Sequence, residues 1–366
     1  MLKVLELFAG IGACSKALTN LGIDHEIVDA VEIDKYAIKS FNAVHGTDFE
    51  AQDITKWDKD LDVDLILHGS PCQDFSAAGL QAGGDKGSGT RSSLMYETLR
   101  IVEKLKPKYV IWENVKNLLS KKHIHNFEAY QEAMKNLGYV NYYKVLNAKD
   151  YGVPQNRERV FTVSIREDVN KQFSFPEKMP LKKRLKDILD DDVDEKYYLS
   201  EERLDTIQKW EQRQKDNGRG FRFNLLDGES VGKAVTTSGD RPSVTNYVII
   251  EDSVKPSVAK NIERESEKIA TTEKDIYQCE CTSGWADNRI GCKISPTIRA
   301  NNNCLYGLTA NKHIRKLTPK ECWRLMGFSD EDFEKAAKVN SNTQLYKQAG
   351  NSIVVDVLYS IFKELL

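Results

Sequence analysis

Val4-Leu5-Glu6-Leu7-Phe8-Ala9-Gly10-Ile11-Gly12-Ala13 is the stretch on which the fold of this chain turns. The apolar run Val4–Phe8 predicts a strand, the two glycines a tight turn, and the amphipathic Ser15–Leu21 a helix. Working outward, EIVDAVEI (Glu26–Ile33), VDLILHG (Val63–Gly69), KYVIWEN (Lys108–Asn114) and RVFTVSI (Arg159–Ile165) read as further strands. AQDI, which carries Asp53, reads as the end of another. Leu94–Lys104 and Phe127–Leu137 have helical patterning. Strands alternating with helices predict a parallel α/β sheet, whose ligands bind at the carboxyl ends of the strands.

The chain has 366 residues, with 53 Lys and Arg against 55 Asp and Glu, a net charge of -2. That balance excludes a histone-like basic binder. With 40% hydrophobic and 30% charged residues, disorder is excluded too, and the length predicts two domains. Seven cysteines do not read as a disulfide framework and fit a reducing cytoplasm. Met1 runs into LKVLELFAG without a signal peptide, and no apolar run reaches about 18 residues, so a soluble, intracellular protein with no membrane partner is expected. The α/β pattern breaks near Pro176 and is replaced by an irregular, Gly-containing stretch with an acidic run, Asp190–Glu195. Helical patterning returns in TPKECWRLMGF, where Thr318 and Pro319 suit an N-cap and first helical position. A final helix is expected from about Ser352 to Leu366. The expected domains are 1–175, 176–314 and 315–366, the last returning to the first.

Four strand ends carry residue types suited to chemistry. Gly10 and Gly12 let a cofactor approach the backbone, and Glu32 stands where a ribose-binding carboxylate is expected. A structural turn beside solvated acids is the alternative. The full G-x-G-x-x-G of a nicotinamide enzyme is not completed. In GSPCQDFS (Gly69–Ser76), Pro71 fixes the turn and places Cys72 at the strand mouth. A lone Cys is usually a small buried hydrophobe. These polar neighbours argue instead for a nucleophile, and the Gly-rich stretch after it for a loop that closes over substrate. In WENV, Glu113 and Asn114 face the same crevice, where an acid can protonate a ring nitrogen while a thiolate attacks the ring. In QNRERVF, Arg157 and Arg159 alternate on one strand face, as an anion contact or as a solvated edge. The Gly350-Asn351-Ser352 turn opens the final helix and can complete a cofactor pocket.

This ordered set (FAGIG, Glu32, Asp53, PCQ, ENV, Q-x-R-x-R, GNS) resembles the DNA cytosine-5 methyltransferase family, in its compact bacterial or phage form. The resemblance covers about Leu2–Arg166 and Arg315–Leu366. It implies an S-adenosylmethionine-dependent, Rossmann-like mixed seven-stranded sheet with a smaller irregular target-recognition domain. It also implies methylation of C5 of a flipped-out cytosine in a specific double-stranded DNA sequence. By resemblance, Cys72 attacks C6, Glu113 protonates or hydrogen-bonds N3, and Arg157 and Arg159 hold the ring and the surroundings of Cys72. Asn114 belongs to the same catalytic set. Phe8, Gly10, Gly12, Glu32, Ile33, Asp53, Ile54, Pro71, Leu94, Asn351, Ser352 and Val354 match cofactor-contact positions. Of these, Glu32 would bind the ribose and Asp53 the adenine amino group. Gln73, Ser76 and Gln81 are DNA contacts by the same comparison. The chain departs from the pattern at Glu6, usually Asp, at Ala13, usually Gly, and at Ile33, where many members carry an aromatic.

In the variable region, Thr297-Ile298 of ISPTIRANNN resembles the family's Thr-Leu step, and Arg289, Lys293 and Arg299 are candidates to reach base edges or phosphates. A polar surface loop is the alternative. Cys279, Cys281, Cys292 and Cys304 are too widely spaced for a zinc site, and no metal is expected. Between Cys281 and Lys316 six basic residues (Arg289, Lys293, Arg299, Lys312, Arg315, Lys316) stand against Asp287 alone, so positive charge is expected in one cleft. The competing readings are a tRNA cytosine methyltransferase, whose Cys-Phe-Thr tripeptide is missing here, a catalytically dead DNA-binding module, and a nicotinamide oxidoreductase. A monomer is expected. Neither the recognition sequence nor a restriction partner can be read from the chain.

Overall fold

The computed structural model describes residues 1–71, 94–218, 220, 222–237, 242–251 and 312–366. Its first strand, β1 (Leu2–Leu7), is buried on both faces over its last four residues, the mark of a central strand. There follow α1 (Ala13–Leu21), β2 (His25–Val31), α2 (Lys35–His45), β3 (Leu65–His68), α3 (Met95–Leu105), β4 (Tyr109–Val115) and α4 (Ile124–Asn136). Next come β5 (Tyr139–Asn147), β6 (Gln155–Asn156), β7 (Glu158–Arg166), α5 (Glu201–Asp216), β8 (Leu225–Leu226), β9 (Gly232–Lys233), β10 (Tyr247–Glu251) and β11 (Lys312–Lys316). The chain ends in α6 (Pro319–Arg324), α7 (Asp330–Ala337), α8 (Asn342–Asn351) and α9 (Val355–Leu365).

The main sheet runs β2-β1-β3-β4-β7-β5. Strands β2, β1, β3 and β4 are parallel, and β7 is antiparallel to both of its neighbours. The sheet is therefore mixed, with six strands among the described residues where the family resemblance implies seven. The strand β5 escapes the sequence pattern because it lies at the sheet edge, where polar residues interrupt its apolar run. No strand forms at Asp53. Its carboxylate accepts the amide of Thr55 and caps a single 3-10 turn, the local hydrogen bond with which Asp competes against extended pairing.

One face of the sheet packs Leu5, Leu7, Ile66, Val110, Trp112 and Val160 against Phe127 and Tyr130 of α4. The C-terminal segment returns to the first helices: α9 packs on α1, and α7 on α2. The last helix starts at Val355 rather than near Ser352, because Gly350 and Asn351 close α8.

The chain forms two compact units. The first comprises Met1–Ile188, Ser230–Thr245 and Pro319–Leu366; the second comprises Leu189–Glu229 and Asn246–Thr318. Residues 176–188 and 230–245, placed by sequence in the recognition region, thus group with the first unit, and residues 315–318 with the second. The second unit has its own core of Ile207, Phe223, Tyr247 and Ile314 beneath the sheet β11-β10-β8. Among the described residues no helix is long and apolar enough to cross a membrane.

Candidate active site

At the carboxyl end of β1 the chain turns sharply. Phe8 takes a φ of 54°, in the left-handed region that a bulky side chain rarely enters. Gly12 has a φ of 81°, and a Cβ built there would lie 2.0 Å from His45 Nε2. Only glycine satisfies both the dihedral and the space. His45 Nε2 lies 3.2 Å from the carbonyl of Ile11, and burial lowers the imidazole pKa to about 4, so it holds this turn as a neutral donor. Since Gly12 has no side chain to cap α1, Glu6 does so from inside β1, accepting from the Ser15 amide and hydroxyl.

Beside this turn, Glu32 accepts the Gly10 amide on one oxygen (3.0 Å) and the Asp34 amide on the other (2.8 Å). Burial raises its pKa against those two amides. Ile33 projects 73% exposed next to it. The Oδ1 of Asp53 is taken by Thr55, while its other oxygen accepts nothing among the described residues. The Thr55 hydroxyl and amide hold that carboxyl below its ordinary range. The side chains of Ile54 and Val354 are buried, Ile54 within the main core. Pro71 and Leu94 are half-buried, and Leu94 leans on the same core. Asn351 is exposed at the end of α8, and the Ser352 hydroxyl donates to the Ile353 carbonyl.

The second cluster forms where β3 and β4 end side by side. Ser70 is buried and receives Trp112 Nε1 (3.0 Å) on its hydroxyl and Asn114 Nδ2 (3.2 Å) on its carbonyl. These bonds fix the chain two residues before Cys72. Glu113 pairs with Arg159 across β4 and β7, Nε to Oε1 at 2.9 Å. The other Glu113 oxygen would lie 3.7 Å from a Cβ on Gly69. Burial pushes the Glu113 carboxyl up, with Arg159 and then Arg157 pulling it back. Arg157 is not the second half of an anion fork, as its alternation with Arg159 suggests. It is 4% exposed and donates to the carbonyls of Val235, Gly350 and Ser352.

The structure thus brings Glu113, Asn114, Arg157 and Arg159 to one end of the sheet, with Phe8, Gly10, Gly12, Glu32, Ile33 and Asp53 at the ends of β1 and β2. Cys72, Gln73, Ser76, Gln81, Arg289, Lys293, Thr297 and Arg299 lie outside the described residues, as do the four variable-region cysteines. Arg315, counted from sequence among the charges of a cleft, is buried within the second unit. Sequence reasoning passed over Ser70, His45 and Gln155. Gln155 stands at the head of the Q-x-R-x-R motif and Ser70 lies within GSPCQDFS, while His45 belongs to no motif. Among the described residues no group of acidic, His and Cys side chains can hold a metal ion. A groove of about 560 Å³ lined by Phe127, Gln131, Tyr139 and Tyr143 runs along α4 and β5 and contains none of these residues.

The family model of C-5 cytosine-specific DNA methylase matches residues 2–366. The orphan methyltransferase M.SPBetaI of Bacillus phage SPbeta is 35% identical, the match covering 100% of this chain and 97% of that one. The type II methyltransferase M.SsoII of Shigella sonnei is 30% identical, over 100% of this chain and 80% of its own. A solved structure of Spodoptera frugiperda DNMT2 shares the fold with a TM-score of 0.67 at 22% identity, covering 100% of this chain and 99% of that one. The chain therefore belongs to the C-5 cytosine-specific DNA methylases, and is a DNA cytosine-5-methyltransferase whose methyl donor is S-adenosylmethionine.

Proposed function

We propose that the chain methylates a flipped-out cytosine within a specific duplex sequence through a covalent bond from Cys72 to C6. The observation that carries this reading is the Glu113–Arg159 pair beside Gly69, three residues before Cys72. Burial raises the Glu113 carboxyl, the direction an acid that hands a proton to a ring nitrogen needs, and the adjacent Arg159 guanidinium orients it. The target base leaves the helix at a cost of a few kcal/mol. As the Cys72 thiolate bonds to C6, the Glu113 proton goes to N3 and the 5,6 double bond becomes an electron-rich enamine. C5 then takes the methyl group. Loss of the C5 proton to a base, expulsion of the Cys72 thiolate and return of the N3 proton to the Glu113 carboxylate restore the neutral ring and the acid. Asn114 holds the Ser70 carbonyl and so the approach of the nucleophile's chain.

Bound S-adenosylmethionine supplies an electrophilic methyl on a sulfonium. The residues present fit its adenosine half. Glu32 is an acceptor-only carboxylate whose two oxygens each keep a lone pair for a diol. Ile33 is an exposed apolar shelf for a purine, and the open oxygen of Asp53 suits an amino donor. Gly10, with nothing within 4 Å of a built Cβ, lets a ligand reach the backbone. The backbones of Ile54 and Val354, with Phe8, Gly12, Pro71, Leu94, Asn351 and Ser352, complete the proposed pocket. Gln73, Ser76, Gln81, Arg289, Lys293, Thr297 and Arg299 are proposed DNA contacts.

Tritiated methyl transfer to duplex DNA and to tRNA tests the substrate, and label entering tRNA alone refutes it. A duplex carrying 5-fluorocytosine tests the covalent step, because fluorine at C5 blocks the final elimination. The wild-type protein should form a denaturant-stable adduct and Cys72→Ser none. An equal adduct yield from Cys72→Ser refutes the proposed nucleophile.

A further inference from the structure

Residues 230–237 belong by chain order to the recognition region, flanked on both sides by stretches of the second unit, yet they group with the first. Their attachments run in order along the strand. The carbonyl of Ser230 accepts the Leu185 amide, Gly232 donates to the Pro154 carbonyl, and β9 pairs in parallel with β6. The Val235 amide donates to Gln155 Oε1 (3.0 Å), and the Val235 carbonyl accepts Arg157 Nη1 (2.9 Å). One residue further on, the backbone of Thr236 and Thr237 lies so close to Gly350 that a Cβ there would be 2.5 Å away. Arg157 Nη2 bonds the carbonyls of Gly350 and Ser352 on the far side of that contact. The strap is thus locked between the Q-x-R-x-R segment and the GNS turn.

We propose that Ser230–Thr237 is the brace that sets the Gly350–Ser352 turn of the methyl-donor pocket, and that Gln155 is its positioning residue. The proposal rests on the assignment of Asn351 and Ser352 to that pocket. Gln155 is fully buried, and both ends of its amide are used: Oε1 takes the strap, while Nε2 donates to the Leu325 carbonyl at 2.7 Å. Only a side chain that is acceptor at one end and donor at the other can join these two backbones. Its loss strands a buried N–H and a buried carbonyl, so the strap must shift to find partners. Arg157 follows the strap through Val235, and the GNS turn follows Arg157 and Gly350. An excursion of the recognition sequence would in this way shape the cofactor end of the catalytic unit without touching the ligand.

The test uses the full-length protein and S-adenosylhomocysteine, titrated calorimetrically without DNA at a temperature where circular dichroism shows each variant folded. Gln155→Met removes both bonds at similar volume. Gly350→Ala drives a methyl group into the Thr236 backbone and removes no hydrogen bond. Both should weaken binding by about tenfold or more, and raise the KM for the methyl donor while leaving that for duplex DNA within about twofold. A loss of stability alone lowers the melting temperature and leaves both constants of the folded protein unchanged. Wild-type affinity in the folded variants overturns the proposal. If Gln155→Met does not fold, Gly350→Ala decides by itself. Absence of binding by the wild-type protein refutes the pocket assignment instead.

Discussion

Glu6 offers a sharp quantitative test of this fold. It sits 1% exposed inside the central strand, accepts from the Ser15 amide and hydroxyl through Oε1, and leaves Oε2 buried without a partner. Desolvation dominates, and the carboxyl pKa rises from 4.5 to about 7 against the hydrogen bonds of Ser15 and Cys14. The Cys14 thiol facing it is itself pushed well up by burial and stays neutral. In the unfolded chain Glu6 loses its proton near 4.5, whereas the folded chain keeps it until near 7. Between those values the native state binds the extra proton, so stability falls as pH rises and levels off above about 7. At about 1.4 kcal/mol per pKa unit the full swing is about 3 kcal/mol. Glu6→Gln keeps an acceptor for Ser15 and removes the titration. Its own buried amide costs about 1–3 kcal/mol, equally at every pH.

The expected result is therefore a change of shape. Thermal midpoints of wild type and Glu6→Gln, taken from pH 4.5 to 8, should diverge in favour of the variant as pH rises. With about 2–4 °C per kcal/mol, the divergence is roughly 6–12 °C and saturates above pH 7. A variant whose curve stays parallel to wild type would show that Glu6 ionises normally in the folded state, and that water or a local shift solvates its second oxygen.

Three further outcomes follow from the site. Arg159→Met removes the largest charge opposing the upward shift of Glu113, so the carboxyl pKa rises further. In single-turnover methylation the limb reporting the acid should move to higher pH, with a lower plateau, and an unmoved limb would exclude Glu113 as the proton donor. Ser70→Ala leaves the buried Trp112 N–H without its acceptor, at about 1–3 kcal/mol, readable by urea unfolding. It should lower kcat and leave S-adenosylhomocysteine affinity alone, since Ser70 lies on the nucleophile's side. Gly12→Ala places a methyl group 2.0 Å from His45 Nε2 at a positive φ, and calorimetry should find cofactor binding lost even where the protein folds.

The parts of the fold set by local patterning were legible in the sequence. Val4–Phe8 and Val110–Trp112 are rich in apolar residues because they belong to central strands covered on both faces, and such runs stand out, while the edge strand β2 is legible through its Ile27-Val28 and Ala30-Val31 pairs. The other edge strand, β5, did not stand out, since Asn141, Lys144 and Asn147 break its apolar run. The antiparallel sense of β7 is set by the short link from β5, which carries no crossover helix. At the candidate site, motif order singled out Glu32, Glu113 and Arg159 as expectations, but alternation could not separate Arg157 from Arg159. Both have the same parity, and only the return of residues 235 and 350–352 makes one a buried tie and the other a partner of Glu113. The roles of His45 and Ser70 were not legible because they depend on contacts with Gly12 and Trp112, made only after folding.

That return raises the question of what holds the proposed pocket together when its residues come from Glu32–Asp53 and from Asn351–Ser352. The turn carrying Glu32 and Ile33 leads into α2, and α2 is held from α8 by polar contacts. Lys347 pairs with Asp34 at 2.7 Å, and Gln348 bonds the Ser40 hydroxyl and the Tyr36 carbonyl. Lys347 and Asp34 are 313 residues apart, and closing a loop of that length costs about 5 kcal/mol. The Lys347–Asp34 pair, with the lysine side chain 48% exposed, contributes at most about 1 kcal/mol and cannot close it. The last helix can. Val355, Val357, Leu358, Ile361, Phe362 and Leu365 are all buried on its inner face, and at about 1.5–3 kcal/mol each their burial exceeds the closure cost. Apolar docking of α9 on α1 therefore brings the C-terminal segment home, and the Asp34, Ser40 and Tyr36 contacts select the register in which Asn351 and Ser352 stand. It follows that Lys347→Ala should leave the melting temperature nearly unchanged yet weaken methyl-donor binding by a few-fold, whereas Phe362→Ala should unfold the first unit at about 3–5 kcal/mol less than wild type.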